Sequence, residues 1–373
     1  MAIDWRPMLL GGVFRGSGAG DGPMATLGPA KAAHNAQDMH RWAAHFGEPF
    51  HVPAAHPMRT VRALRTLLAL PHSRWPDAIE ALYAAYWQRG EDITSDAVIL
   101  RALGDIPEAT AALARADDAD IKDELRRRTD EALAKGVFGA PAWIVGGTLI
   151  WGQDRLAWVR AVLDGWEPDA AAPHGGPHRI AQRTAESFEA FFDVASPFAY
   201  LGLTQLSEIA TRLVPILLGG LFRDIGQRDV PMLGFPPAKQ RYTHLEMTRW
   251  ARWWGVPFAM PKKFPQRTIT AQRLCVIAGE RDVATQLALA TALGRAMWAE
   301  GRDLEDDATL RQILEGLGLP AAWVERTQES AVKQALIANT TEAKERGVFG
   351  VPTWIVGGDR LYWGQDRLEL ALS

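Results

Sequence analysis

Ser196 is followed at once by Pro197, where a strand-like run, Phe188 to Val194, gives way to helical patterning. Proline suits the first turn of a helix, and the backbone N–H groups there favour negative charge. A hydroxyl in that place can cap the helix. It can also donate a hydrogen bond to a thiolate and so lower the pKa of a bound thiol, ordinarily about 8.5. Serine cannot exchange disulfides, and no His–Asp relay lies nearby in sequence to make it a hydrolase nucleophile. The one cysteine, Cys275, lies in the apolar run Leu274-Cys275-Val276-Ile277 and reads as a small buried hydrophobe. A single cysteine excludes an intrachain disulfide, a Cys-x-x-Cys redox pair and a thiolate zinc site, and points to a reducing cytoplasm. The nine histidines show no HExxH or comparable ligand spacing, so no metal is expected.

The elements that must position such a serine occur twice. GVFGAPAWIVGG begins at Gly136 and GVFGVPTWIVGG at Gly347, an offset of 211 residues (347 − 136). Each is followed by Trp-Gly-Gln-Asp-Arg, at Trp151–Arg155 and Trp363–Arg367. Earlier pairs, LLGGVF at Leu9 with LLGGLF at Leu217 and Pro29-Ala30-Lys31 with Pro237-Ala238-Lys239, are offset by 208 (217 − 9). A repeat of this length is a duplicated domain, not a solenoid unit. The expected organisation is a first domain over 1–165, a linker over 166–184 rich in Ala, Pro, Gly and His, and a second domain over 185–373. The net charge of −3 offers no field for nucleic acid or an anionic membrane surface. No apolar run reaches the ~18 residues of a membrane span.

In the second copy the pattern predicts a strand at Phe188–Val194, a helix from Phe198 to Arg212 and a strand at Ile216-Leu217-Leu218. A helical middle follows from about Ala238 to Arg346. Trp354-Ile355-Val356 reads as a buried strand, Gly357-Gly358-Asp359 as a hairpin turn, Leu361-Tyr362-Trp363 as the returning strand and Asp366–Leu372 as a closing helix. Most of the 15 tryptophans stand at core spacings. Trp354 and Trp363 flank the proposed site and are candidates to line an aromatic pocket.

The order β-α-β, helical insertion, β-β-α resembles a thioredoxin fold carrying a helical domain. FFDVASPFAYLG from Phe191, LLGGLF from Leu217, PPAKQRY from Pro236, RGVFGVPTWIVGG from Arg346 and YWGQDR from Tyr362 make the resemblance specific. They resemble the DsbA-like thioredoxin superfamily, on the branch of 2-hydroxychromene-2-carboxylate isomerases and kappa-class glutathione transferases. The resemblance implies an α/β protein of two DsbA-like domains, each with a helical insertion. It implies glutathione as cofactor, Ser196 as the catalytic group in place of the redox cysteine, and cis peptide bonds at Val351-Pro352 and Ala140-Pro141. Val351 and Pro352 would meet the cysteinyl part of glutathione, Gln365, Asp366 and Arg367 its γ-glutamyl end, and Lys239 its glycyl carboxylate. A carboxylate such as Asp366 can take an ammonium, and helix N-terminal N–H groups a carboxylate. Arg267-Thr268 stands where many relatives carry Asn-Thr.

The equivalent of Ser196 in the first copy falls before Met1, so that copy lacks the opening strand, the serine and the first helix. Either the frame starts upstream of Met1, or the first copy is a degenerate scaffold supported by the second. Although it retains Lys31, Ala140-Pro141, Asp154 and Arg155, it is expected to be catalytically silent. The leading functional expectation is a glutathione-dependent isomerase acting on an aromatic unsaturated carboxylate. The alternatives are a kappa-like glutathione transferase and a non-catalytic thioredoxin-like scaffold. The two copies would pair within one chain, or the protein would form a homodimer.

Overall fold

A computed structural model describes residues 3–170, 187–206, 210–228 and 230–373. The expected linker therefore lies mostly outside the described residues. The chain divides into two compact units. The first comprises Met1–Leu27, Met39–Gly165 and Pro236–Lys239. The second comprises Gly28–Asp38, Trp166–Phe235 and Gln240–Ser373. Each unit thus includes a short piece of the other repeat.

The first repeat runs α1 (Leu10–Ser17), α2 (Pro29–Phe46), α3 (Val61–Ala69), α4 (Trp75–Tyr83), a π-turn, α5 (Asp96–Ala102), α6 (Ala109–Arg115) and α7 (Ala119–Ala134). Strands β1 (Ala142–Val145) and β2 (Thr148–Trp151) and helix α8 (Leu156–Leu163) close it. Its core is helical: Leu67, Trp75, Ala78, Ile99 and Leu103 bury the apolar stripes of α3 to α5 and the residue that follows. Among the described residues its sheet consists of β1 and β2, paired antiparallel.

The second repeat opens with β3 (Phe188–Phe192), α9 (Pro197–Leu203), β4 (Arg212–Pro215) and α10 (Leu218–Asp224). A helical insertion follows: α11 (Pro237–Trp253), α12 (Ile269–Gly279), α13 (Val283–Trp298), α14 (Asp307–Gly316), α15 (Trp323–Arg326) and α16 (Ser330–Glu345). It ends in β5 (Thr353–Val356), β6 (Arg360–Trp363) and α17 (Leu368–Leu372). The sheet order is β4-β3-β5-β6, with β3 parallel to β4 and antiparallel to β5. An interior strand covered on both faces needs no polar alternation, which is why β3 reads Phe-Glu-Ala-Phe-Phe. Its one charge, Glu189, pairs with Arg346 at 2.8 Å and Arg212 at 2.9 Å, and the Arg346 hydrogen bond holds its carboxyl below the usual range.

The hairpin and closing strand stand where the sequence patterns place them. Gly357 and Gly358 take φ of 64° and 92°, a backbone open to glycine at no steric cost. Two expectations are corrected. The helix after Ser196 extends only from Pro197 to Leu203, not to Arg212, because Arg212 already belongs to β4, opposite Glu189. The second strand is Arg212–Pro215 rather than 216–218. Pro215 ends the parallel register against Phe192, and the Leu218 N–H is taken by the Asp193 carboxylate as α10 begins. The apolar run Val214 to Leu218 is continuous, so periodicity alone could not place that boundary.

Helix α9 reaches the sheet through a glycine. A Cβ on Gly202 would stand 2.8 Å from the ring of Trp354, which is fully buried and cannot yield. Gly202→Ala is expected to destabilise the protein by about 1–3 kcal/mol through overpacking. Gly219→Ala, in α10 with nothing within 4 Å, should be neutral or slightly stabilising. Denaturant melts of the two variants check the contrast.

Candidate active site

The loop from β3 to α9 is built by buried hydrogen bonds. Asp193 accepts from the Ala195 N–H at 2.9 Å, the Leu218 N–H at 2.9 Å and the Thr268 hydroxyl at 2.8 Å. Its carbonyl accepts from the Ser196 N–H at 3.0 Å. Burial pushes the Asp193 carboxyl up, and the three donors act against that push. Gln272 of α12 donates to the carbonyls of Phe192 and Ile216 at 2.9 and 2.8 Å and accepts from Val194 at 3.3 Å. The Trp298 indole donates to the Val194 carbonyl at 2.8 Å. Every strand end leading to the serine is therefore held by a side chain from the helical insertion.

Ser196 is buried and caps α9, its Oγ accepting from the Ala199 N–H at 3.2 Å. The same hydroxyl donates to the Val351 carbonyl at 3.1 Å, across 155 residues of sequence. The Val351-Pro352 bond is cis, as is Ala140-Pro141. Val351 is itself buried, and among the described residues no acceptor meets its N–H. Most backbone donors of buried residues are paired. Beside a serine hydroxyl the Val351 N–H is suited to an extended peptide-like ligand.

The cis-proline turn is tied to the last motif. The Pro352 carbonyl accepts from the Gly364 N–H at 2.9 Å, and the Trp354 indole donates to the Gly364 carbonyl at 2.8 Å. Trp354 is therefore core, stacked on Phe188, and does not line a pocket. Beyond Gly364, Gln365 is buried and Asp366 meets Arg367 at 2.9 Å.

Helix α2 of the first repeat adds three residues to this unit. The Asp38 carboxylate accepts from Arg367 Nε at 3.0 Å and pairs with its Nη2 at 3.0 Å. His34 Nε2 accepts from the Trp363 N–H at 3.1 Å, and Lys31 Nζ stands 4.6 Å from the Trp363 ring centroid. His34 and Asp38 are both buried. Reading the repeats separately missed His34 and Asp38. Their spacing was the available signal: 31, 34 and 38 are i, i+3 and i+7, one face of a helix. Asp193 and Gln272 were also missed, although a buried polar pair near strand ends is what a loop of this kind requires.

The structure brings Ser196, Val351, Pro352, Gln365, Asp366 and Arg367 into the second unit. Lys239 lies in the first unit, its Nζ 5.6 Å from the Trp151 ring centroid. Cys275 is fully buried in α12, and burial pushes its thiol up.

A thioredoxin-like sheet with a helical insertion, a cis-proline opposite the first helix and a serine at that helix's cap define a DsbA-type domain without redox cysteines. The DSBA-like thioredoxin domain profile matches residues 1–164 and again 188–373, and the chain belongs to that family. Among similar proteins, the 2-hydroxychromene-2-carboxylate isomerase of Pseudomonas putida is 31% identical over 197 residues, covering 49% of this chain and 91% of its own. The isomerase of that name from Sphingobium xenophagum is 28% identical, covering 50% of this chain and 97% of its own. Glutathione S-transferase kappa 1 of Caenorhabditis elegans is 25% identical, covering 48% and 86%. A solved structure of a 2-hydroxychromene-2-carboxylate isomerase is 28% identical, covers 48% of this chain and 90% of its own, and superposes with a TM-score of 0.44. No helix among the described residues is long and apolar enough to cross a membrane.

Proposed function

We propose that the second unit houses a glutathione-dependent isomerase site acting on an aromatic unsaturated carboxylate of the 2-hydroxychromene-2-carboxylate type. The observation that carries the reading is the Ser196 hydroxyl, 3.1 Å from the carbonyl of Val351, a buried residue whose N–H lacks an acceptor among the described residues. Those groups fit the cysteinyl part of glutathione. When bound, glutathione supplies a thiolate for reversible addition to an unsaturated carbon, with no net redox change.

The chain's residues then have separate tasks. Ser196 offers its single hydroxyl proton to a thiolate, favouring the ionised form at neutral pH. The exchange gives up its bond to the Val351 carbonyl, an ordinary neutral hydrogen bond worth about 1 kcal/mol net. The Val351 N–H pairs with ligand backbone as an added strand would. Asp38, Asp366 and Arg367 form one cluster of two carboxylates and a guanidinium, matched to the ammonium and carboxylate of a γ-glutamyl end. Of the two repeat lysines, Lys31 stands beside Trp363 in this unit and Lys239 lies in the first unit, so Lys31 is assigned to the glycyl carboxylate in place of Lys239.

The test is conversion of 2-hydroxychromene-2-carboxylate followed by ultraviolet absorbance, with and without glutathione. Glutathione-dependent turnover with glutathione recovered unchanged supports the isomerase. A kappa-like transferase is the second reading, supported by the similarity to kappa transferases; a stable glutathione conjugate as end product would select it. A folded protein that binds no glutathione would favour a non-catalytic scaffold instead. A cytoplasmic setting and pairing of the two copies within the chain, or as a homodimer, remain part of this proposal.

A further inference from the structure

Among the described residues β6 is the outer strand of its sheet and pairs only with β5, Trp363 standing opposite Thr353. The next residue, Gly364, gives its N–H to the Pro352 carbonyl on the β5 side. Successive N–H groups of a strand point to opposite sides, so the Trp363 N–H faces outward, away from β5. A side chain meets it there: His34 Nε2 of α2 accepts the bond at 3.1 Å. His34 thus supplies the acceptor that a further strand would supply.

The histidine is 6% exposed, and its ring lies edge to face with Phe349 at 5.6 Å and with Trp363 at 6.4 Å. A ring nitrogen that accepts from an N–H carries no proton, so the neutral imidazole holds its proton on Nδ1. The fold does not require histidine here. In the second repeat the matching position of α11, 208 residues on (242 − 34), is Tyr242.

Beyond this anchor lies the turn that carries the candidate γ-glutamyl groups. Gly364 takes φ of 108°, Gln365 is buried, and Asp366 meets Arg367 at 2.9 Å. The turn is tied at both ends to one helix, at Trp363 by His34 and at Arg367 by Asp38 at 3.0 Å. A turn held in place needs no ordering when ligand arrives. A loose one is competent for only part of the time, and its apparent Kd rises in proportion.

We propose that His34 is a positioning residue for the glutathione site. Through the Trp363 N–H it keeps the 364–367 turn ready for the γ-glutamyl end, and so sets affinity without touching the chemistry at Ser196. The inference rests on the glutathione reading given above. Ser196 itself is held by other elements, through Val351 and the Asp193 loop.

The test compares two variants of the full chain. His34→Leu keeps an apolar body against Phe349 and Trp363 but offers no acceptor, whereas His34→Gln keeps an acceptor of similar reach. Calorimetric titration with glutathione should give a Kd about tenfold higher for His34→Leu, the usual effect of a buried donor left unmet. His34→Gln should stay within about threefold of the parent. With 2-hydroxychromene-2-carboxylate as substrate, the KM for glutathione should rise about tenfold in His34→Leu while kcat at saturating glutathione stays within about twofold. Hydrogen exchange at 363–367 should quicken in ligand-free His34→Leu and return to the parent rate under saturating glutathione, with exchange at 188–192 unchanged. His34→Met, adaptable and without a strong acceptor, repeats the measurements if the leucine variant does not fold. A His34→Leu Kd within twofold of a parent that binds glutathione overturns the inference and leaves the glutathione site standing. A fall in kcat with unchanged KM, or faster exchange at 188–192 as well, also overturns it, marking His34 as structural. A folded parent that binds no glutathione overturns this inference and the glutathione reading together.

Discussion

Ser196→Ala is expected to lower glutathione-dependent turnover about 10- to 150-fold. The loss corresponds to one hydrogen bond to a charged group, about 1.5–3 kcal/mol, at 1.36 kcal/mol per decade of rate. The variant also loses the α9 cap made to the Ala199 N–H, a cost of about 1 kcal/mol that leaves the protein folded. Two readouts separate the roles. Stability reports the cap and the bond to the Val351 carbonyl, whereas the pH profile of kcat/KM reports the thiol. Without the hydroxyl the bound thiol moves back toward its ordinary value of about 8.5, so the variant's activity should rise with pH where the parent's is already level. Ser196→Thr keeps the hydroxyl and should restore much of the activity. Turnover by Ser196→Ala within twofold of the parent would remove Ser196 from the chemistry.

Asp193→Ala is expected to give the largest loss of stability, about 3 kcal/mol or more. The substitution strands the Ala195 and Leu218 N–H groups and the Thr268 hydroxyl, all donors to one buried carboxylate. Asp193→Asn is milder, because an amide keeps one oxygen acceptor but turns an NH2 group toward a backbone donor. Its pH dependence carries a definite sign. Burial raises the folded-state pKa of Asp193. The stability contributed by its titration is therefore present below the unfolded value of about 3.9 and is lost as pH rises through the raised folded value. The asparagine variant has no such titration, so the gap between parent and variant should narrow as pH rises from about 4 toward 7. Urea melts across that range check it. A gap that widens with pH would mean that the three donors outweigh burial and hold the carboxyl low. Either variant should also lower turnover, since the Asp193 side chain fixes the loop that carries Ser196 through its bond to the Ala195 N–H.

Much of this was legible from residues alone because it depends on short stretches of chain. The Phe188–Phe192 strand and the Trp354 and Tyr362 hairpin are carried by composition and by glycines at 357 and 358. Ser196 before Pro197 announces a helix cap, and the structure shows one. The cis bonds followed from resemblance and are present at both repeats. The boundary between β4 and α10 was misplaced because Val214 to Leu218 is apolar throughout. Its end is decided by pairing with β3 and by Asp193, not by local preference.

The sequence by itself determined that the chain is a duplicated α/β protein, that it has no cysteine pair for redox exchange, and which strands and turns carry the candidate site. Those features rest on periodicity, turn chemistry and repeated motifs, which act over a few residues. The tertiary structure decided which partners complete the site. Arg367 is held by Asp38 across 329 residues, and Ser196 meets Val351 across 155. It also decided that Ile355 is covered while the same residue at 144 is bare. Contacts at such separations depend on which surfaces come together when the units form, and burial follows from the neighbour rather than from the side chain.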